Sequence, residues 1–221
     1  MAELIRGKPV WGIAAPKLPN SDGGADRHFC DFLGLLGIPL VPCTTVPEEA
    51  PAVFLALQTL KSPALVDKLA KIVATGKPVL VTDHLAEALP ATALLKAPNV
   101  RIFEVPEHDP GQSNVYWALM DLPEARLRAV RDFLLSPFGL KLVAPTRVAL
   151  YLYDEDLVVI ENFNDAEAEI ILTSQSQARP KVALAVPSEI PSFSSQDGVA
   201  RFVLPGRSLI AVRFSDAAVQ E

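Results

Sequence analysis

The chain has 221 residues, half of them apolar and 21% charged, with a formal net charge of −6. That length suits one large domain or two modest ones, with enough apolar side chain to bury a core. With 26 acidic residues against 20 basic ones and no basic run, the chain offers no general phosphate-binding surface, which excludes a nucleic-acid partner.

In chain order, residues 1–8 carry charges and no apolar stretch, so they do not read as a leader peptide. No later window is long and apolar enough to span a bilayer, and no membrane partner is expected. Val10 to Ala14 is a short apolar run closed by Pro16, the first expected strand. Turn formers Asn20 to Gly24 follow, and then a helical pattern with Phe29, Phe32, Leu33 and Leu36 on one face, ended by Gly37. Ile38 to Val41 and Val53 to Leu57 are the second and third strands. The clearest helix runs from Ser62 to Thr75, with Ser62 as cap, Pro63 at the first helical position and Gly76 as stop. Leu65, Leu69, Ile72 and Val73 form its apolar stripe, and Asp67 can pair with Lys71 four residues on. Pro78 to Thr82 is the fourth strand, a weaker helix spans Leu85 to Leu95, and Val100 to Val105 is the fifth strand. A last helix starts after Asp121, with Glu124 at capping-box spacing and Leu127, Val130 and Leu134 facing inward.

Strands that are apolar at nearly every position are buried on both faces, as in a parallel sheet between helix layers. Their alternation with helices predicts right-handed crossovers and an open, flavodoxin-like parallel sheet of order 2-1-3-4-5 flanked by helices, over residues 1–140. After about Lys141 the pattern changes. Val148-Leu150-Leu152, Leu157 to Ile160, Glu169 to Thr173, Lys181 to Val186, Ala200 to Leu204 and Ser208 to Phe214 are short strands parted by turns, with no helical period. A small antiparallel β-sandwich over residues 146–221 is expected, with the boundary between Gly139 and Arg147.

In an open parallel sheet, ligands gather beyond the carboxyl ends of the strands. Asp83-His84 follows strand four and Glu107-His108-Asp109 follows strand five, so two imidazoles and three carboxylates can converge there. Such residues suit acid–base work or a metal ion, but no ligand spacing such as HExxH is present, and polar loop residues need no site to explain them. The five residues are therefore ligand-binding candidates; no catalytic residue, metal site or cofactor is assigned. Asp22-Gly23-Gly24 could bare backbone N–H groups to an anion, yet both phosphate-loop glycine patterns are absent and Asp22 repels phosphate, so a turn feeding a helix is the better account. Cys30 and Cys43 lack CxxC spacing and read as buried free thiols, leaving the redox compartment open. Neither lies in a nucleophile elbow, and no Gly-x-Ser-x-Gly occurs. Tyr151, Tyr153, Phe163 and Phe193 offer sugar-stacking faces, although aromatics in strands are usually core or cross-strand partners.

Gly37-Ile38-Pro39-Leu40-Val41-Pro42, Val53-Phe54-Leu55 and Gly76-Lys77-Pro78-Val79-Leu80-Val81 resemble the class I glutamine amidotransferase-like fold. In active members the last segment continues into Gly-x-Cys-x-Gly. Here Thr82-Asp83-His84-Leu85 stands there, with Asp83 at the nucleophile's place and Leu85 replacing a glycine of the tight turn. The Gly-Gly pair after strand three is replaced by Ala56-Leu57-Gln58. A carboxylate cannot do thiolate chemistry, and a branched side chain resists a strained turn.

Leu157 to Asp165, Glu167 to Leu172 and Leu204 to Val212 are similar to the small β-domain that closes many glycoside hydrolases. In this order the two parts resemble β-galactosidases that carry an amidotransferase-like trimerisation domain before a terminal β-domain. No (β/α)8 barrel is present, and with it no paired barrel carboxylates. The resemblance implies a non-catalytic accessory or assembly module of carbohydrate processing, partnered by copies of itself, by a glycosidase catalytic domain or by carbohydrate. The alternatives are a hydrolase or metal-dependent enzyme built on the Asp83, His84, Glu107, His108 and Asp109 cluster, and a small-molecule sensor using the crevice between strands one and three.

Overall fold

A computed structural model describes residues 1–90, 92–107, 115–176, 178–188 and 192–214. The chain divides into two compact units, one formed by Gly12–Gly34 and Leu40–Leu122, the other by Met1–Trp11, Leu35–Pro39 and Pro123–Glu221.

The first unit is built on a five-stranded parallel sheet. Its strands, in chain order, are Ile13–Pro16, Leu40–Cys43, Val53–Leu55, Val79–Thr82 and Val100–Phe103, and their spatial order is 2-1-3-4-5, as the alternation of strands and helices predicts. The three central strands are buried at every position, which explains their unbroken apolar sequence. Helix Leu65–Ala74 turns Leu65, Leu69 and Ile72 onto Val53, Leu55, Val79 and Val81. Ser62 does not cap it. Pro63 is followed by Ala64 in left-handed geometry at the N-cap, and the Ser62 hydroxyl instead accepts from Lys68 Nζ at 3.2 Å. Lys71 pairs with Glu48, at 3.1 Å, rather than with Asp67. The segment after strand four forms two short helices, Asp83–Ala88 and Thr92–Leu95, in place of one.

The second unit carries two antiparallel sheets. One orders its strands Val10–Trp11, Val148–Tyr153, Leu157–Asn162, Ser208–Arg213, Lys181–Val186; the other orders Ser194–Gln196, Val199–Leu204, Ala168–Ser174, Leu140–Val143. Alternate residues from both sheets, among them Leu142, Leu150, Leu152, Ile160, Ile170, Leu172, Phe202 and Ile210, fill one core. The apolar run expected as the first strand is thus split: Val10 and Trp11 pair antiparallel with Tyr153 and Leu152, and only Ile13 onward enters the parallel sheet.

Helix Glu124–Leu135, read from sequence as the close of the α/β domain, lies in this β-rich unit, where Leu135 joins the core. Leu127, Val130 and Leu134 are buried as expected, but Pro123, not Asp121, stands at the N-cap. Asp121 ends the preceding helix, donating its N–H to Trp117 O. The same helix buries Arg131, whose guanidinium donates to Leu36 O (2.6 Å), Ala144 O (2.5 Å) and Pro145 O (3.0 Å). Desolvation pushes its pKa down to about 10, so it stays charged at neutral pH and ties three backbone carbonyls from two separate segments. Gly37, at φ +71°, passes this point, and a Cβ there would meet Leu142 Cδ2 at 2.6 Å.

Candidate functional site

Strand four ends at Thr82, which is fully buried and caps the next helix: its Oγ1 accepts from the Leu85 N–H at 3.3 Å. Asp83 opens that helix in ordinary right-handed geometry. Its Oδ1 accepts from the His84 N–H at 2.9 Å, and its Oδ2 accepts from the Val105 N–H, beyond strand five, at 3.2 Å. Both carboxylate oxygens are therefore occupied by backbone donors, and the residue ties the exits of two neighbouring strands. The turn is a plain helix start, without the strained elbow that presents a nucleophile.

His84 belongs to a network that sequence reasoning missed. Its Nδ1–H donates to Asp26 Oδ1 at 2.7 Å and also lies 3.4 Å from Asp83 Oδ1. Asp26 is 2% exposed, and its Oδ2 accepts from Thr82 Oγ1 at 2.6 Å and from the Leu57 N–H at 2.8 Å. A buried carboxylate with three donors is fully satisfied, and it fixes the imidazole so that Nε2 carries the lone pair in the neutral ring. The imidazole is 35% exposed. The signal that could have found Asp26 is its place: it falls just after the turn Asn20 to Gly24, beyond strand one, on the side of the sheet where strands three and four also end. The Leu57 N–H, where the expected Gly-Gly pair is missing, is taken up by the same carboxylate.

Of the five sequence candidates, Asp83 and His84 come together. Glu107 is exposed and stands outside their network, while His108 and Asp109 lie outside the described residues. Among the described residues, no group of three or more His, Cys, Asp or Glu side chains is arranged to hold a metal ion.

Between the ends of strands one and three, where the strand order reverses, lies a cleft of about 410 Å3. Its charges are largely paired: Arg27 with Asp22 at 3.5 Å and His28 with Asp31 at 2.9 Å. Asp22 also accepts the Gly24 N–H at 3.1 Å, closing the turn upon itself and removing a donor an anion would need. Cys30 lines the cleft; its sulfur accepts from Gln58 Nε2 at 3.3 Å, and burial pushes the thiol's pKa up. Burial likewise raises Cys43. Thiols held protonated are weak nucleophiles. No helix among the described residues is long and apolar enough to cross a membrane.

Of the proposed stacking aromatics, Phe193 lies against Phe202 with ring centres 5.8 Å apart, and Tyr153 packs beside Leu157 and Val159. Tyr151 is exposed on its strand, and its hydroxyl donates to Glu161 Oε2 at 3.4 Å.

Residues 139–186, within the β-rich part, match the family model of a probable glycosyl hydrolase C-terminal domain. Comparison of the sequence with curated proteins gives no match. In fold, the chain is similar to α-L-fucosidase isoenzyme 2 from Paenibacillus thiaminolyticus, with a TM-score of 0.55 at 13% identity over 97% of this chain. It spans 50% of that enzyme's length. An exo-carrageenase of Bacteroides ovatus aligns over 85% of this chain and 26% of its own, at a TM-score of 0.36 and 10% identity.

Proposed function

We propose that this chain is a non-catalytic accessory and assembly module of a carbohydrate-processing protein. Its parallel-sheet unit is a flavodoxin-like, amidotransferase-like shell, and its β-rich unit is a glycoside-hydrolase closing domain. The match of residues 139–186 supports the carbohydrate context, and the fold likeness to a fucosidase of twice the length supports a place beside a catalytic domain. The observation that carries the non-catalytic reading is Asp83: at the nucleophile's position stands a carboxylate in a relaxed helix start, both oxygens held by backbone N–H groups. A group so occupied is a structural tie. Sedimentation of the purified chain, alone and with a glycosidase catalytic domain, tests the assembly role. Self-association or complex formation is expected, and a strict monomer that joins neither overturns it.

A second reading is favoured by the Asp26–His84 pair. A buried aspartate that fixes Nδ1 of a part-exposed imidazole is the arrangement of a general base, which points to a hydrolase. Turnover of a broad ester, amide and glycoside panel that falls at least a hundredfold in His84→Ala would select this reading over the first. An inactive panel removes it.

A further inference from the structure

The β-rich unit holds a cleft of about 260 Å3 unrelated to the Asp26–His84 network. Its walls are apolar and aromatic, with Trp11, Phe138 and Phe214 among them, and Glu155, Ser174 and Ser176 supply polar groups. Trp11 is 38% exposed in the short edge strand Val10–Trp11, and its indole N–H has no partner among the described residues. Phe214 is buried and Phe138 is partly buried against the core, so Trp11 is the aromatic whose face is open to a ligand in this concave surface. The acidic turn divides its charge unequally. Asp154 pairs with Lys8 and Asp156 with Arg213, at 3.7 Å, which leaves the exposed Glu155 carboxylate without an ion pair among the described residues. Ser174 Oγ accepts from the Ser176 N–H at 3.1 Å and Ser176 Oγ accepts from the Ala178 N–H at 3.2 Å, so each hydroxyl keeps its own hydrogen free to donate.

We propose that this cleft is a subsite for a neutral pyranose residue of a glycan. An aromatic wall takes the C–H face of a sugar ring, a carboxylate accepts from its hydroxyls, and serine hydroxyls donate to its oxygens. Glu155, the one charge of this cleft without an ion pair among the described residues, is negative, and it selects against sulfated sugars and uronic acids by like-charge repulsion. The proposal rests on the carbohydrate reading above and deepens it: the module holds neutral glycan on its β-rich unit.

The test is NMR titration of the full chain with neutral oligosaccharides (gluco-, galacto-, manno- and fucosyl-oligosaccharides), and with sulfated and uronate oligosaccharides as controls. At least one neutral glycan is expected to shift the Trp11 indole resonance while leaving Trp117 in place, and the acidic ones to shift neither. Trp11→Ala should weaken binding at least tenfold. Glu155→Lys, at an exposed position where folding is not at stake, should weaken neutral glycans severalfold and admit acidic ones. Neutral glycan binding that survives both substitutions overturns the cleft and leaves the carbohydrate reading standing. Absence of any glycan-induced shift also overturns the cleft, and the assembly role is then judged by its own sedimentation test.

Discussion

Replacing Asp26 by alanine removes the acceptor for three donors: Thr82 Oγ1, the Leu57 N–H and His84 Nδ1. His84 is open to water and can find another acceptor cheaply. Thr82 is fully buried, and its hydroxyl hydrogen has nowhere to go. Each buried group left unpaired costs about 1–3 kcal/mol, so Asp26→Ala should cost roughly 3–4 kcal/mol once the small cavity is included. Against a domain stability of about 5–15 kcal/mol that is a large fraction. Thr82→Val deletes the orphaned hydroxyl at nearly constant shape but also the cap on the Leu85 N–H, so it should cost about 1–2 kcal/mol less in the Asp26→Ala chain than in the parent. Urea unfolding in a Trp11→Phe background reads this through Trp117, which lies in the same compact unit as Asp26. The loss should lower the midpoint by about 1–4 M at an ordinary slope of about 1–3 kcal/mol per M. Strictly additive losses, or a single-variant cost under about 1 kcal/mol, would refute the network as described.

Both cysteines should react with iodoacetamide at pH 7.5 at least tenfold more slowly than a free thiol, because burial raises their pKa values; a fast-reacting Cys30 contradicts this. Tyr151 should titrate well above the ordinary tyrosine value of 10.0 in absorbance at 295 nm, since desolvation and then Glu161 push it up to about 12. The folded phenol keeps its proton where the unfolded one, at 10.0, has lost it, so this contribution is complete below pH 10 and fades as pH rises towards 12. Glu161→Gln should bring the transition partway down. Gly198→Ala should lower stability by roughly 2–4 kcal/mol in thermal melts, because the residue sits at φ +75° and a Cβ would lie 2.6 Å from Ser174 O.

The parallel sheet was legible because its strands are buried on both faces, so burial alone writes Val53-Phe54-Leu55 and Val79-Leu80-Val81 as apolar runs. Helix Leu65–Ala74 was legible from its stripe, but its start was not. Ser62 and Pro63 carry every local mark of a cap, yet Ala64 in left-handed geometry places the first turn later. The marks around Asp121 misled for a similar reason: the preceding helix claims its N–H. Val10-Trp11 could not be separated from Ile13-Ala14 by hydropathy, since an antiparallel edge and a parallel core strand share the same residues. In the site, adjacency in sequence exposed Asp83 and His84. Asp26 and Arg131 stayed hidden because their partners, Leu57, Thr82 and His84 for one and three backbone carbonyls for the other, are mostly distant in the chain. Such long-range polar ties leave no periodicity to read.

The most direct test of the central claim is a glutaminase and glycosidase assay on the purified chain, run beside Asp83→Ala and His84→Ala. The accessory reading predicts no ammonia from glutamine, no sugar from aryl glycosides and no difference among the three proteins. Release of either product by the parent chain that disappears in a variant would contradict it.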